Sequence, residues 1–166
     1  MDETIIPGPE TVRAYRAALG RYATGVTIVT AASDWGPVGI TANSFASVSL
    51  APPLVLWSPA KASLRFQAFT EADKFAIHIL AEEQNDICHA FARDGAAFEG
   101  CEWDTDKDGV PRILGCLSRF SCDRHAVHDG GDHAIIVGRV TSAMSRPGGE
   151  PLVFHDGGFG QFLRPG

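Results

Sequence analysis

The chain has no surplus of positive charge. Its 14 lysines and arginines face 20 aspartates and glutamates in 166 residues, a net charge of −6. A nucleic-acid partner normally needs a basic face, so the balance argues against that class, while a local basic pocket for one phosphate stays compatible with it. Long apolar runs are also missing: none approaches the roughly 20 residues of a membrane-spanning helix. The start, Met1-Asp2-Glu3, is acidic where a secretory signal would be basic. Cysteine is scarce, at Cys88, Cys101, Cys116 and Cys122, and no two have CxxC spacing. A chain of this length does not need disulfides to hold a core, so free thiols in a reducing cytoplasm are expected. Neither a Walker sequence nor a GxGxxG fingerprint occurs, so a nucleotide-type cofactor must be held by something other than a Rossmann turn. Repeats and low-complexity linkers are absent too, and residues 1–166 read as one domain with a core at about 12–160.

What is plentiful is glycine and proline, 18 and 10 copies, punctuating short apolar runs. That rhythm favours strands and turns over a helical bundle. Residues 9–19 predict a helix with Val12, Tyr15 and Leu19 on one face and Gly20 at its end. The β-branched run 26–31 predicts a strand, and residues 33–36 a turn. Residues 37–50 read as a long strand or one with a bend, and Pro52-Pro53 separates them from a short buried strand at 54–57. Ser63 is placed to cap a short helix reaching about Thr70. A strand at 74–80 and a helix at 82–93 follow, the helix burying Ile87 and Phe91. Residues 104–108 read as an exposed acidic loop. Residues 117–128 and 133–144 predict a hairpin turning at Asp129-Gly130-Gly131-Asp132, and 152–155 a last strand. About seven strands and three helices without regular alternation predict a mainly β protein: a closed antiparallel barrel with helices packed outside.

The segment Gly39 to Ser49 is unusual for a strand, because five small hydrogen-bonding side chains interrupt its apolar ones. Small residues let a flat ligand approach the backbone, and hydroxyls or amides then address its polar edge, which is what an isoalloxazine ring requires. A barrel strand with a polar outer face would show the same pattern. Further on, Trp57-Ser58-Pro59-Ala60-Lys61-Ala62-Ser63 leaves a buried strand and enters a helix start. Ser58, Lys61 and Ser63 can donate to an anion there, so a flavin phosphate would fit; a helix cap with one solvated lysine is the plainer alternative.

These stretches resemble the flavin reductase domain family, which supplies reduced flavin to two-component monooxygenases. The resemblance runs from about Ala14 to Phe159. It rests on the run from Tyr15 to Thr30, the Gly39 to Ser49 segment, Pro52-Pro53-Leu54-Val55, the run from Lys74 to Leu80, Phe91-Ala92-Arg93 and Gly131-Asp132-His133. It implies an antiparallel, Greek-key type split β-barrel working as a homodimer, with FMN or FAD near the subunit interface and NADH or NADPH as co-substrate. By matching position, Thr41, Ala42, Asn43 and Ser44 would line the ring edge, with Ser47, Val48 and Ser49 continuing the wall. Ser58, Lys61 and Ser63 would lie near the ribityl phosphate, and Arg93 and Phe98 at the pocket rim. His133, with Gly131 and Asp132, would sit beside the nicotinamide, positioning it without an obligatory proton transfer. The last strand departs from the family pattern: Phe154-His155 and Gly157-Gly158-Phe159-Gly160 stand where an aromatic, often tyrosine, is usual, so Phe159 can cover a ring face but donates no phenolic hydrogen bond.

Three other readings compete. Cys122, His125, His128 and His133, with His155, could ligate zinc, but residues 122 and 128 of a strand face opposite to 125. A flavin-binding electron carrier or sensor would use the same barrel without turnover. A dimerising scaffold without cofactor would not need the small polar residues of 39–49. The favoured reading is an NAD(P)H:flavin oxidoreductase in the cytoplasm, passing reduced flavin to a transient oxygenase partner, with no nucleic acid or membrane involved.

Overall fold

A computed structural model describes residues 4–165. After a 3-10 turn at Pro9–Thr11 come α1 (Val12–Gly20), β1 (Thr24–Gly25), β2 (Thr27–Ser33), β3 (Gly36–Ala42), β4 (Ala46–Leu50) and β5 (Pro53–Trp57). Next are α2 (Phe66–Glu71), β6 (Lys74–Ile79) and α3 (Asn85–Arg93). The remainder is all strand apart from turns: β7 (Trp103–Thr105), β8 (Pro111–Ile113), β9 (Ser118–Gly130), β10 (His133–Ser145), β11 (Leu152–His155) and β12 (Gly158–Gln161).

Seven strands form one antiparallel sheet in the order β3-β2-β6-β9-β10-β5-β4. Laid flat at about 4.8 Å per strand, its edges would stand nearly 30 Å apart. Only residues 43–45 join the edge strands β3 and β4, and that link spans at most about 14 Å. The sheet therefore rolls until its edges almost meet, giving a barrel split at this corner. The expected long strand at 37–50 is thus two strands on opposite edges, and the bend between them is where the barrel parts.

β2 explains why its sequence is continuously β-branched rather than alternating: its first five residues are all buried. Val29 and Ala31 face the barrel interior with Trp57, Phe69, Phe75, Ile77 and Ile136. Val26 and Ile28 face outward into a second cluster with Leu80, Ile87, Cys88, Phe91, Phe98 and Ile113. Each such fully buried side chain stabilises the fold by about 1.5–3 kcal/mol.

α1 forms where a helix was expected and buries none of its residues; Val12, Tyr15 and Leu19 are 45%, 42% and 56% exposed. Several other sequence expectations are corrected. The helix expected at 82–93 begins as a 3-10 turn at Glu82–Gln84 and is α-helical only from Asn85. Residues 104–108 are not simply a loop: Trp103–Thr105 pairs with Pro111–Ile113, and a bidentate Arg112–Asp104 contact at 2.6 Å braces the pair. A last strand, β12, pairs with β11, which also pairs with β1. The hairpin expectation holds, but the loop is only Gly131-Asp132, since Gly130 pairs with His133. Gly131 takes φ +79°, as tight two-residue turns with a leading glycine require.

Candidate active site

The split corner builds the site. Where β3 gives out, Ser44 folds back so that its Oγ accepts the Ser58 N–H at 2.9 Å. The chain beyond β5 then runs alongside the start of β10. The Ala134 N–H donates to Pro59 O at 3.0 Å, the Lys61 N–H donates to Asp132 O at 2.9 Å, and Ala60 bridges to His133. These bonds place His133 across from the end of β3. Between them lies a cavity of about 240 Å³ lined by residues 40–44, residues 57–60 and His133. A second cleft of about 150 Å³ shares Thr41, Ala42 and Asn43 and is closed by Val26, Phe154 and Phe159. Together they fall within the range usual for small-molecule sites, about 300–1,000 Å³. A hollow of about 270 Å³ beside Trp35 and α2 is larger than either but shares none of these residues.

The polar groups of the wall are unequally available. Thr41 Oγ1 donates to Cys88 O at 2.6 Å, and Thr27 Oγ1 donates to Ala42 O at 2.7 Å. With Ser44 bound to Ser58, the exposed Asn43 amide is left without a protein partner among the described residues and borders both cavities. Deeper in, Trp57 is 1% exposed, held edge-on by Phe69 at 5.0 Å, and its buried Nε1 has no partner among the described residues. A buried donor without an acceptor costs about 1–3 kcal/mol. The exposed Asn43 amide, bordering both cavities, fits a planar ligand whose ring edge carries donors and acceptors.

His133 is half-exposed, and its Nδ1 lies 2.7 Å from Asp132 Oδ1. The His133 hydrogen bond, helped by its charge and by Arg16, holds the Asp132 carboxyl below the usual carboxylate range. A carboxylate only accepts, so Nδ1 is the donor, and in the neutral ring Nε2 is an acceptor.

Other expected site residues stand elsewhere. Ser47, Val48 and Ser49 lie on edge strand β4, with Val48 bulged out of register, and line a separate dent of about 110 Å³. Lys61 is paired with Asp129 at the hairpin tip, which lowers the Asp129 pKa. Ser63 caps no helix end: its Oγ accepts the Arg65 N–H at 3.2 Å, and α2 starts only at Phe66 and has six residues. The expected phosphate cradle at a helix start is therefore not assembled around these three side chains. Arg93 folds onto its own helix, donating to His89 O at 3.3 Å. Phe98 is core, 4% exposed between Phe91 and Trp103, and not a pocket rim. Phe159 does reach the second cleft, edge-on to His89 at 4.8 Å and against Phe154 at 5.2 Å. Among the described residues no three His, Cys, Asp or Glu side chains converge on a metal-sized site, and no helix is long and apolar enough to cross a membrane.

A family model described as "Flavin reductase like domain" matches residues 19–163. The chain belongs to this family. The FMN reductase (NADH) SmoA of Agrobacterium fabrum is 53% identical over 163 residues, covering 98% of this chain and 93% of that protein. The reductase subunit HsaB of a flavin-dependent monooxygenase from Rhodococcus jostii is 42% identical, covering 87% and 75%. Among solved structures, the NADH:FAD oxidoreductase SgcE6 of Streptomyces globisporus superposes with a TM-score of 0.90 at 34% identity, covering 100% of this chain and 96% of the other. SgcE6 has also been solved in complex with NAD and FAD fragments.

As a member of the flavin reductase family, the chain has the split barrel its sequence implied. Sequence reasoning passed over Trp57 and Phe154 as site residues, taking both for ordinary strand positions. The signal available for Trp57 was its N–H, which needs a partner when buried. Phe154 carried none, because its role depends on β11 lying beside Thr24–Gly25, a pairing set by contacts distant in the chain.

Proposed function

We propose that this chain is an NADH-dependent flavin reductase that supplies reduced FMN or FAD to a separate monooxygenase. The observation that carries the reading is the cavity at the barrel split. The Asn43 amide stands at its mouth, the Trp57 indole borders it, and His133 faces it from the β9–β10 hairpin. When bound side by side, a flavin ring and a reduced nicotinamide supply the hydride chemistry themselves, so the protein's task is stacking, near-contact distance and exclusion of water. Asn43 offers a donor and an acceptor to a ring edge, and the buried Trp57 backs the cavity from the barrel core. Asp132 orients His133 beside the nicotinamide subsite through its contact with Nδ1. Phe154 and Phe159 give the neighbouring cleft aromatic walls. NADH is named for both SmoA and SgcE6, which favours it over NADPH.

The oxygenase partner follows from the two-component systems named for HsaB and its like. Residues 12–160 serve as one domain in this reading. A homodimer is supported by α1, whose Val12, Tyr15 and Leu19 form an apolar face left about half exposed by the described residues. A cytoplasmic setting is supported by four free cysteines, three of them buried.

The test is anaerobic mixing of the protein with NADH or NADPH and either flavin. Enzyme-dependent loss of the yellow flavin absorbance over many turnovers is expected, faster with NADH. A single stoichiometric bleaching of tightly held flavin, with no turnover of added flavin, would make the chain a carrier and refute the proposal.

A further inference from the structure

Arg65 plays no part in the chemistry above, yet it ties together the two walls of the cavity. Its guanidinium Nη1 donates to Gly39 O at 3.0 Å and to Phe91 O at 2.6 Å, and Nη2 donates to Ala92 O at 3.2 Å. Gly39 immediately precedes residues 40–44, which form one wall. Phe91 and Ala92 belong to the last turn of α3, whose carbonyls have no partner within the helix. Arg65 itself stands near the end of the loop that began with residues 57–60, the opposite wall. One planar cation thus spans three elements with directed bonds, a task its fork of donors suits and an ammonium does not.

The surroundings are built around this contact. The Gly39 N–H donates to Gly95 O at 2.9 Å, so both backbone groups of Gly39 are engaged. A Cβ on Gly39 would meet the Phe91 ring at 2.6 Å, and one on Gly95 would meet the Arg65 stem at 2.7 Å. Backbone, ring and guanidinium stem therefore approach one another only because both positions are glycine. Among the described residues the other hydrogen bond between the two walls is Ser44–Ser58 at 2.9 Å, beside the packing of Ile40 and Ala42 against the cluster that holds Trp57. With Arg65 gone, the end of β3 nearest Gly39 loses its directed bond to the loop after β5.

We propose that Arg65 is a positioning residue for flavin binding: it holds β3 at a set distance from the loop after β5, and so fixes the width of the slot between Asn43 and His133. The proposal rests on the flavin reductase reading of the same cavity. It expects loss of Arg65 to act on KM, because a widened slot binds the ring loosely while hydride transfer within the bound complex is little changed.

The experiment compares Arg65→Met, Arg65→Lys and Arg65→Ala with the wild type, measuring thermal midpoint, kcat, and KM for FMN and NADH. Wild-type turnover comes first, and its absence would refute the reductase reading separately. Given turnover, Arg65→Met should raise the flavin KM about five- to twenty-fold with kcat within about two-fold of wild type. Arg65→Lys, serving one carbonyl of three, should recover only part of that. In Arg65→Ala, a few millimolar guanidinium should restore much of the flavin KM, and urea at the same concentration should not. A lowered thermal midpoint with unchanged flavin KM would overturn the proposal and leave Arg65 a purely structural cap. A lowered kcat at unchanged KM would overturn it as well.

Discussion

Acidifying the protein from pH 7 should weaken its fold through one side chain, His78. This imidazole is fully buried next to the end of β6, with Nδ1 2.9 Å from Ile28 O. Its Nε2 accepts the Ile113 N–H at 3.0 Å, so the neutral ring clips β8 to the barrel. Burial pushes its pKa down to about 4 from an ordinary 6.5; the Ile28 carbonyl opposes this and Arg119 adds to it. The unfolded chain takes up this proton as the pH falls through 6.5, whereas the folded chain resists until about 4. Stability from this group is therefore complete above pH 6.5 and lost between there and 4, a total of about 3 kcal/mol. Protonation at Nε2 would also turn an acceptor against the Ile113 N–H. The assay is urea unfolding at fixed protein concentration from pH 7 to 4.5, comparing wild type with His78→Gln, which keeps a donor and an acceptor but no titrating proton. The variant should start less stable at pH 7 and then lose less on acidification, the difference approaching one proton's slope, about 1.4 kcal/mol per pH unit. Parallel pH profiles for the two proteins would refute the reasoning.

Three further outcomes are expected. Replacing Asn43 with Val should weaken flavin binding by about 1–3 kcal/mol, read by flavin fluorescence titration, because the ring edge then loses the free amide; unchanged affinity would remove Asn43 from the site. His133→Ala should raise the KM for NADH while leaving flavin affinity nearly intact, and a large loss of flavin affinity instead would put the imidazole in the other subsite. Gly138→Ala should destabilise the barrel by about 1–3 kcal/mol in chemical denaturation, since the new Cβ would stand 2.6 Å from the Phe75 ring and 3.0 Å from Cys122 Cβ; a stability equal to wild type would mean that Phe75 can move aside.

Much of the barrel was legible because its strands carry their own signals. The run 26–31 is β-branched, residues 74–80 are apolar, and Gly131 marks the tight turn between β9 and β10. What stayed hidden depends on partners far away in the chain. β12 is a glycine-rich segment, Gly158-Phe159-Gly160-Gln161, whose strand character comes from pairing with β11 rather than from propensity. The end of β7 reads as part of an acidic loop until Arg112 of β8 meets Asp104. α1 shows the opposite case: its helical periodicity is real, but periodicity does not say whether the apolar face is buried in the same chain, and among the described residues none of it is.

The site itself was found through a signal with a different physical cause from the one first assigned to it. Small polar residues at 39–49 suggested a row of groups aimed at a ring edge. In the structure two of its five polar side chains, Thr41 and Ser44, serve the corner where the barrel splits, and Ser47 and Ser49 lie apart from it. Gly39 admits the Phe91 ring, Thr41 bonds to α3 through Cys88 O, and Ser44 bonds to the chain after β5. Such a corner needs small side chains and hydroxyls to satisfy backbone groups that no ladder pairs. It also needs to stay open, because two sheet edges that nearly meet leave a gap between them. The composition therefore marks an opening in the barrel, and Asn43, the polar side chain there without a protein partner among the described residues, is the one that the proposed flavin site would engage.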